Sequence, residues 1–135
     1  IMYFETHSVT SDRQGRINFP RNLFRDSGIS RGGTVCMYPM EGYWMACDIQ
    51  RFQQILESEY PGSSLDPVVR DSRREFMLDA KSLHIDPQGR VPFQAVDGRK
   101  PGTEYLIIGT GLEFEIWPKS VWLEHTQDLG GNDDE

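Results

Sequence analysis

Residues 11–20 read SDRQGRINFP, and residues 85–94 read IDPQGRVPFQ. Both contain Asp-x-Gln-Gly-Arg, then an aliphatic residue, a spacer and Phe. The chain has 135 residues, room for one compact domain or for two small halves that depend on each other. The second copy decides between these. Val9 and Ser11 precede Asp12 as Leu83 and Ile85 precede Asp86, and Ile17 and Phe19 match Val91 and Phe93. Apolar residues alternating with polar or small ones are what a strand with one buried face requires. Each copy therefore reads as strand, tight turn, strand. Gly15 and Gly89 stand where such a turn needs a positive φ, which glycine adopts without steric cost.

The repeat continues past the motif. Residues 20–28, PRNLFRDSG, predict a short helix with Pro20 in its first turn, Leu23 and Phe24 inward and Gly28 at its end. The second copy, QAVDGRKPG at 94–102, has room for one turn at most. Each half then offers a hairpin, TVCMYPMEGYWMACD at 34–48 and TEYLIIGTGLEFEIWP at 103–118, with Trp44, Ala46 and Cys47 matching Phe114, Ile116 and Trp117. A helix follows each. Asp48 caps IQRFQQILESE, whose Ile49, Phe52, Ile55 and Leu56 form one stripe. PKSVWLEHT is the second version, with Trp122 in the place of Phe52. Between the copies, Asp66 and Pro67 start a connecting helix carrying Val68, Val69, Phe76, Met77 and Ala80. Halves of roughly 50 residues bury little core alone, so they are expected to pack as an internal pseudo-dimer.

Composition narrows the function. Hydrophobic residues make up 37% and charged residues 26%, as in a soluble globular protein. The longest apolar run, Tyr105 to Ile108, is far too short to cross a bilayer, and the opening IMYFETHSV lacks the pattern of a secretory leader. Cys36 and Cys47 do not make a disulfide framework. With a turn centred on Glu41-Gly42 they face each other as two small buried residues of a cytoplasmic protein with reduced thiols. No cofactor is implied: His7, His84 and His125 show no metal-ligand spacing with the cysteines. No Gly-rich phosphate loop or nucleophile–histidine pattern points to an enzyme or a small-molecule substrate.

The net charge of −7 argues against a generally basic nucleic-acid binder, but it is unevenly spread. Four of the negative charges, Asp128, Asp133, Asp134 and Glu135, fall in residues 127–135, which read as an acidic, disordered tail. Residues 1–35 hold Arg13, Arg16, Arg21, Arg25 and Arg31 against Glu5, Asp12 and Asp26, so a local basic face is compatible with an acidic protein. Within each motif, Asp12 and Asp86 can accept the loop's N–H groups and hold Arg16 and Arg90 by charge-assisted bonds, leaving the rest of each fork outward. Such guanidinium groups suit phosphates or the guanine edge. Taken alone, Asp-x-x-Gly is also a common hairpin turn that the ion pair merely braces. Arginine in both copies, with Arg13, Arg21 and Arg25 nearby, shifts the reading toward an outward contact. Arg70, Arg73 and Arg74 read as a solvated face pairing with Asp66, Asp71 or Glu75. The three tryptophans read as core or subunit packing, and His84 as an ordinary strand residue.

The doubled Asp-x-x-Gly-Arg, the joining helix, the first-half motif DRQGRINFPRNL and the second-half ending FEIWPKSVW resemble the MraZ family over nearly all of residues 2–126. The resemblance implies an α+β, β-rich pseudo-dimer of two swapped-hairpin AbrB-like repeats with short helices. The repeats are expected at 1–60 and 82–126, the connecting helix at 61–81 and the tail at 127–135. It implies a bacterial transcriptional regulator that is cytoplasmic, nucleoid-associated and assembled into homo-oligomeric rings. Its partner is then double-stranded DNA, as short repeats upstream of the division and cell-wall gene cluster. Asp12, Arg16, Asp86 and Arg90 match the family's motif positions. Gln14 and Gln88 replace a common lysine, which removes a charge but leaves hydrogen-bonding capacity. The glycine usual near the N-terminus is Glu5 here, and Gln94 stands opposite Pro20. Arg13 and Arg21 complete the expected DNA-facing set. The acidic balance and the two glutamines also suit a different class, an AbrB-like protein-binding scaffold or antitoxin-type module that no longer reads DNA.

Overall fold

The computed structural model describes residues 2–25 and 28–133. In chain order the elements are β1 (Thr6–Thr10), β2 (Ile17–Asn18), α1 (Arg21–Arg25), β3 (Thr34–Pro39), β4 (Trp44–Cys47), α2 (Ile49–Glu59), α3 (Pro67–Asp79), β5 (Lys81–His84), β6 (Arg90–Val91), α4 (Gln94–Asp97), β7 (Glu104–Gly109), β8 (Phe114–Pro118) and α5 (Lys119–Asp133). This is a mixed α+β fold around an antiparallel sheet of order β1-β7-β8-β4-β3-β5, with a separate two-stranded ribbon of β2 and β6.

The pairings follow one rule. β1 pairs with β7, and β5 with β3, so each first strand joins the hairpin of the other half. The two hairpins meet at β4 and β8, where Trp44 faces Ile116, Met45 faces Glu115 and Ala46 faces Phe114. The sequence matches Trp44 with Phe114 and Ala46 with Ile116, so Trp44 faces the counterpart of Ala46 and Ala46 the counterpart of Trp44. In the ribbon, Ile17 faces Val91 and Asn18 faces Arg90. Exchanging the halves leaves the strand order unchanged when read backwards.

Period-two alternation sorts the side chains into two layers. Val35, Met37, Ala46, Ile107, Phe114 and Ile116 face the ribbon and form the main core with Ile17, Phe19, Val91 and Phe93. The alternate residues Cys36 and Cys47 face the helices, joined by Phe52 of α2 and Phe76 of α3. Phe76 stacks on Tyr38 at 4.4 Å and lies 5.7 Å from Phe52. Burying a ring of this size stabilises by about 1.5–3 kcal/mol, which is what holds α3 to the body. On the other half, Trp117 stacks on Tyr43 at 4.1 Å and meets Trp122 of α5 edge-on at 5.1 Å. The tryptophans thus pack: Trp117 is buried and Trp44 lies against the main core. Cys36 and Cys47 face each other across β3 and β4 as free, buried cysteines.

Asp48 caps α2 through Arg51 N, and Asp66 caps α3 through Val68 N with Pro67 in the first turn. Several expectations need correction. Ile49, Val68 and Met77 are exposed rather than inward; α2 holds on by Phe52, with Ile55 and Leu56 partly buried, and α3 by Phe76. A helix lying on the sheet's outer surface meets it along one narrow line, so apolar residues off that line stay in water. Residues 127–133, expected as a disordered tail, continue α5. Packing at Trp117 fixes its first turns, and propagation then needs one hydrogen bond per added residue, with no proline to interrupt it. The expected end of α1 falls on residues outside those described up to Gly28. Among the described residues no helix is long and apolar enough to cross a membrane.

Candidate nucleic-acid interface

The two motif loops have nearly the same geometry. Asp12 Oδ1 accepts from Gln14 N and Arg16 N, both at 2.9 Å, while Oδ2 accepts from Arg16 Nε at 2.8 Å. Asp86 repeats the set with Gln88 N, Arg90 N and Arg90 Nε, at 2.9, 2.9 and 2.8 Å. Asp12 N donates to Arg16 O and Asp86 N to Arg90 O, closing each loop, and Gly15 and Gly89 take φ of 74° and 89°. The bond from the arginine backbone N–H is the largest influence on each carboxyl; desolvation opposes it, and the arginine side-chain bond and the glutamine backbone bond add to it, so both carboxyls lie below the usual range. Each loop is therefore a carboxylate cage that fixes a guanidinium at Nε and leaves its Nη end beyond the clamp. Arg90 Nη2 also donates to Gln88 Oε1 at 3.2 Å.

The ribbon aims both arginines the same way. Ile17 and Val91 are fully buried and face each other. Arg16 and Arg90 each precede that pair on antiparallel strands, so they stand diagonally across it on the opposite, outward face. Diagonal neighbours of this kind lie about 7–8 Å apart. Their side chains retain 28% and 31% exposure, so both are reachable from solvent. Arg13, Gln14, Arg21 and Gln88 are exposed. The side chain of Arg25 lies outside the described residues.

Three residues absent from the sequence-based set belong to this site. Asn18 is exposed, directly opposite Arg90 on the same face; the alternation after Arg16 was the signal for it. The other two buttress the loops across the halves. A Cβ on Gly15 would collide with the Gln94 side chain, and one on Gly89 would meet Phe24 at 3.0 Å. Gln94 N donates to Gly15 O at 2.9 Å and Phe19 N to Gly89 O at 3.0 Å. Loop one is thus backed by the second half and loop two by the first. Among the described residues no group of three or more His, Cys, Asp or Glu is arranged to hold a metal.

Glu5 has φ of 72° and is the one non-glycine positive φ among the described residues. Its carboxylate accepts from Asn22 Nδ2, 17 residues on, at 2.8 Å.

The fold and site define an α+β protein with a doubled, carboxylate-clamped arginine loop. Several relatives carry one name. The chain is 29% identical over 137 residues to the transcriptional regulator MraZ of Kineococcus radiotolerans, covering 95% of this chain and 89% of that protein. It is 26% identical over 138 residues to the MraZ of Moorella thermoacetica, covering 94% and 88%, and 26% identical over 129 residues to that of a Mycobacterium species, covering 93% and 87%. The chain matches no protein-family model. Relatives that share this name align along almost the whole length of the chain, which is similar to MraZ proteins from end to end.

Proposed function

We propose that this protein is a sequence-specific, DNA-binding transcriptional regulator that contacts short repeats upstream of the division and cell-wall gene cluster through its two Asp-x-x-x-Arg loops. The observation that carries the reading is the pair of clamped, solvent-reachable arginines on one outward face of the ribbon. Fixed forks lose little freedom on binding and match the O6/N7 edge of guanine or a phosphate. Asn18, Gln14 and Gln88 add donors and acceptors, and Arg13 and Arg21 widen the positive strip. The relatives' name, transcriptional regulator, supports the same conclusion. The protein works in the cytoplasm, at the nucleoid.

The crossed pairing of β1 with β7 and β5 with β3, and a strand order unchanged by exchange of the halves, support a swapped-hairpin pseudo-dimer of AbrB-like repeats. In this reading residues 1–60 and 82–126 are the repeats and 61–81 the connector. One such unit offers few cationic contacts against a net charge of −7. A homo-oligomeric ring that sets several copies of the face on one duplex multiplies weak single contacts.

The test is binding of a labelled duplex from upstream of the protein's own gene, beside a scrambled duplex, at two salt concentrations. Arg16→Ala and Arg90→Ala each lose about 1–3 kcal/mol if the side chains read bases. The slope of log affinity against log salt falls by about 0.9 for each phosphate contact removed. Equal, weak binding by the parent and both variants refutes the proposal. It would favour the scaffold or antitoxin-type module, for which the acidic balance and the glutamines at 14 and 88 speak.

A further inference from the structure

The helical layer carries two charge features that the DNA-facing ribbon does not use. On α3, Arg70, Arg73 and Arg74 line a concavity of about 270 Å³ with Ser64 and Met77. Arg73 is pinned: Nε and Nη2 donate to Tyr60 O at 3.0 and 2.8 Å, and Nη1 to Ser64 Oγ at 2.8 Å. Arg70 Nη1 donates to Ser64 O at 3.2 Å, and Arg74 Nη1 to Asp71 at 2.8 Å. Three guanidinium groups therefore share one cleft with a single carboxylate engaged on them. On α5 the charge runs the other way. Residues 127–135 contain Asp128, Asp133, Asp134 and Glu135 and no cation, and the last turn of α5 has no basic residue.

We propose that the arginine cleft of α3 receives the acidic 127–135 segment of a second copy of this chain. Position supports this occupant over DNA. The cleft lies on a helix anchored by Phe76 to the sheet face carrying Cys36 and Cys47. The ribbon with Arg16 and Arg90 covers the opposite face, the one carrying Val35 and Met37. A duplex lying on the ribbon of one chain does not reach the cleft of that chain. Position also sets the geometry. α5 rests on β7 and β8, toward one end of the sheet, and α3 follows the half built on β3 and β4, toward the other. A contact from the α5 end of one copy to the α3 of the next is head-to-tail, the kind that closes into rings when the rotation allows. The inference rests on the homo-oligomer of the proposed function and names the contact that makes it.

The test is sedimentation of the full chain at about 50 mM and about 300 mM salt, where screening lengths differ roughly twofold. Beside it run a chain ending at Thr126, the variant Arg70→Glu/Arg74→Glu, and that variant combined with Asp128→Lys/Asp133→Lys. Arg73 is left intact because it ties the 60–64 loop to α3. Truncation and the arginine reversal each weaken association by up to about 30-fold, since the two exposed pairs that Arg70 and Arg74 can make with the segment are removed. The combined reversal restores association, and high salt weakens the parent. Unchanged assembly of the truncated chain, or no recovery in the combined variant, overturns the contact while leaving DNA binding by the ribbon intact. A parent that is monomeric at both salts overturns the oligomer itself, a separate failure.

Discussion

Gly15 offers the sharpest test of how the loops are held. Its φ of 74° lies in the left-handed region, and the Cβ that alanine would add meets Gln94, including that residue's own Cβ. The backbone cost of a left-handed L-residue is about 1–2 kcal/mol, lowered by about 0.4–1 kcal/mol because alanine restricts the unfolded chain. Gly32 isolates this part: its φ is 82° and nothing lies within 4 Å of its virtual Cβ. Gly32→Ala therefore destabilises by about 0.5–1.5 kcal/mol. Gly15→Ala must also push α4 away, because the obstructing atoms include a Cβ that no rotamer change removes. That disturbs the 2.9 Å bond from Gln94 N to Gly15 O and adds about 1–2 kcal/mol of lost hydrogen bonding and overpacking. The total is about 2–3 kcal/mol, or a fall in Tm of roughly 6–12 °C for a chain this long. Urea denaturation of the parent and the two variants, followed by far-ultraviolet circular dichroism, gives both values under one condition. If the two alanine variants lose the same stability, Gln94 does not buttress the loop, and the cross-half support argued above is wrong.

Two further outcomes follow from the ionisable groups. Asp12 and Asp86 have carboxyls lowered from the ordinary 3.8 by hydrogen bonds to Arg16 and Arg90. Their contribution is complete above that value and lost as pH falls through the lowered ones; acid denaturation followed below pH 4 should shift to higher pH in the Asp12→Asn/Asp86→Asn variant, and identical acid midpoints would refute the cage. Burial, followed by the neighbouring Cys36 and Asp48, pushes the Cys47 thiol up to about 12, and burial, followed by Asp48, raises Cys36 as well. At pH 8 almost no Cys47 thiolate exists, so iodoacetamide should label neither cysteine in the native protein and both in urea; rapid native labelling would show that the β3–β4 face opens.

How much of this was legible in the sequence depends on whether a feature is local. The motif turns, the caps at Asp48 and Asp66 and the pairing of Cys36 with Cys47 each rest on residues close in the chain, where hydrogen-bond chemistry and period-two alternation decide the outcome. Partner choice among strands is different. The two copies share one pattern, so alternation alone allows β1 to join either hairpin; the register Val9 opposite Tyr105 had to come from the fold. The exposure of Ile49 and Val68 was hidden for a related reason: a periodic stripe says which residues share a helix face, not how wide a strip the sheet covers. At the site, Asp12, Arg16, Asp86 and Arg90 were legible because clamp and clamped residue sit four apart. Gln94 and Phe24 were not, since each supports a loop more than 60 residues away in sequence. The same crossing bears on function. Because each loop leans on the other half, neither arginine can be set in place by its own repeat alone. A lesion in one half, at Gly15 or at Phe24, is therefore felt at the ribbon that carries both arginines, and duplication here couples the two loops rather than merely adding a second.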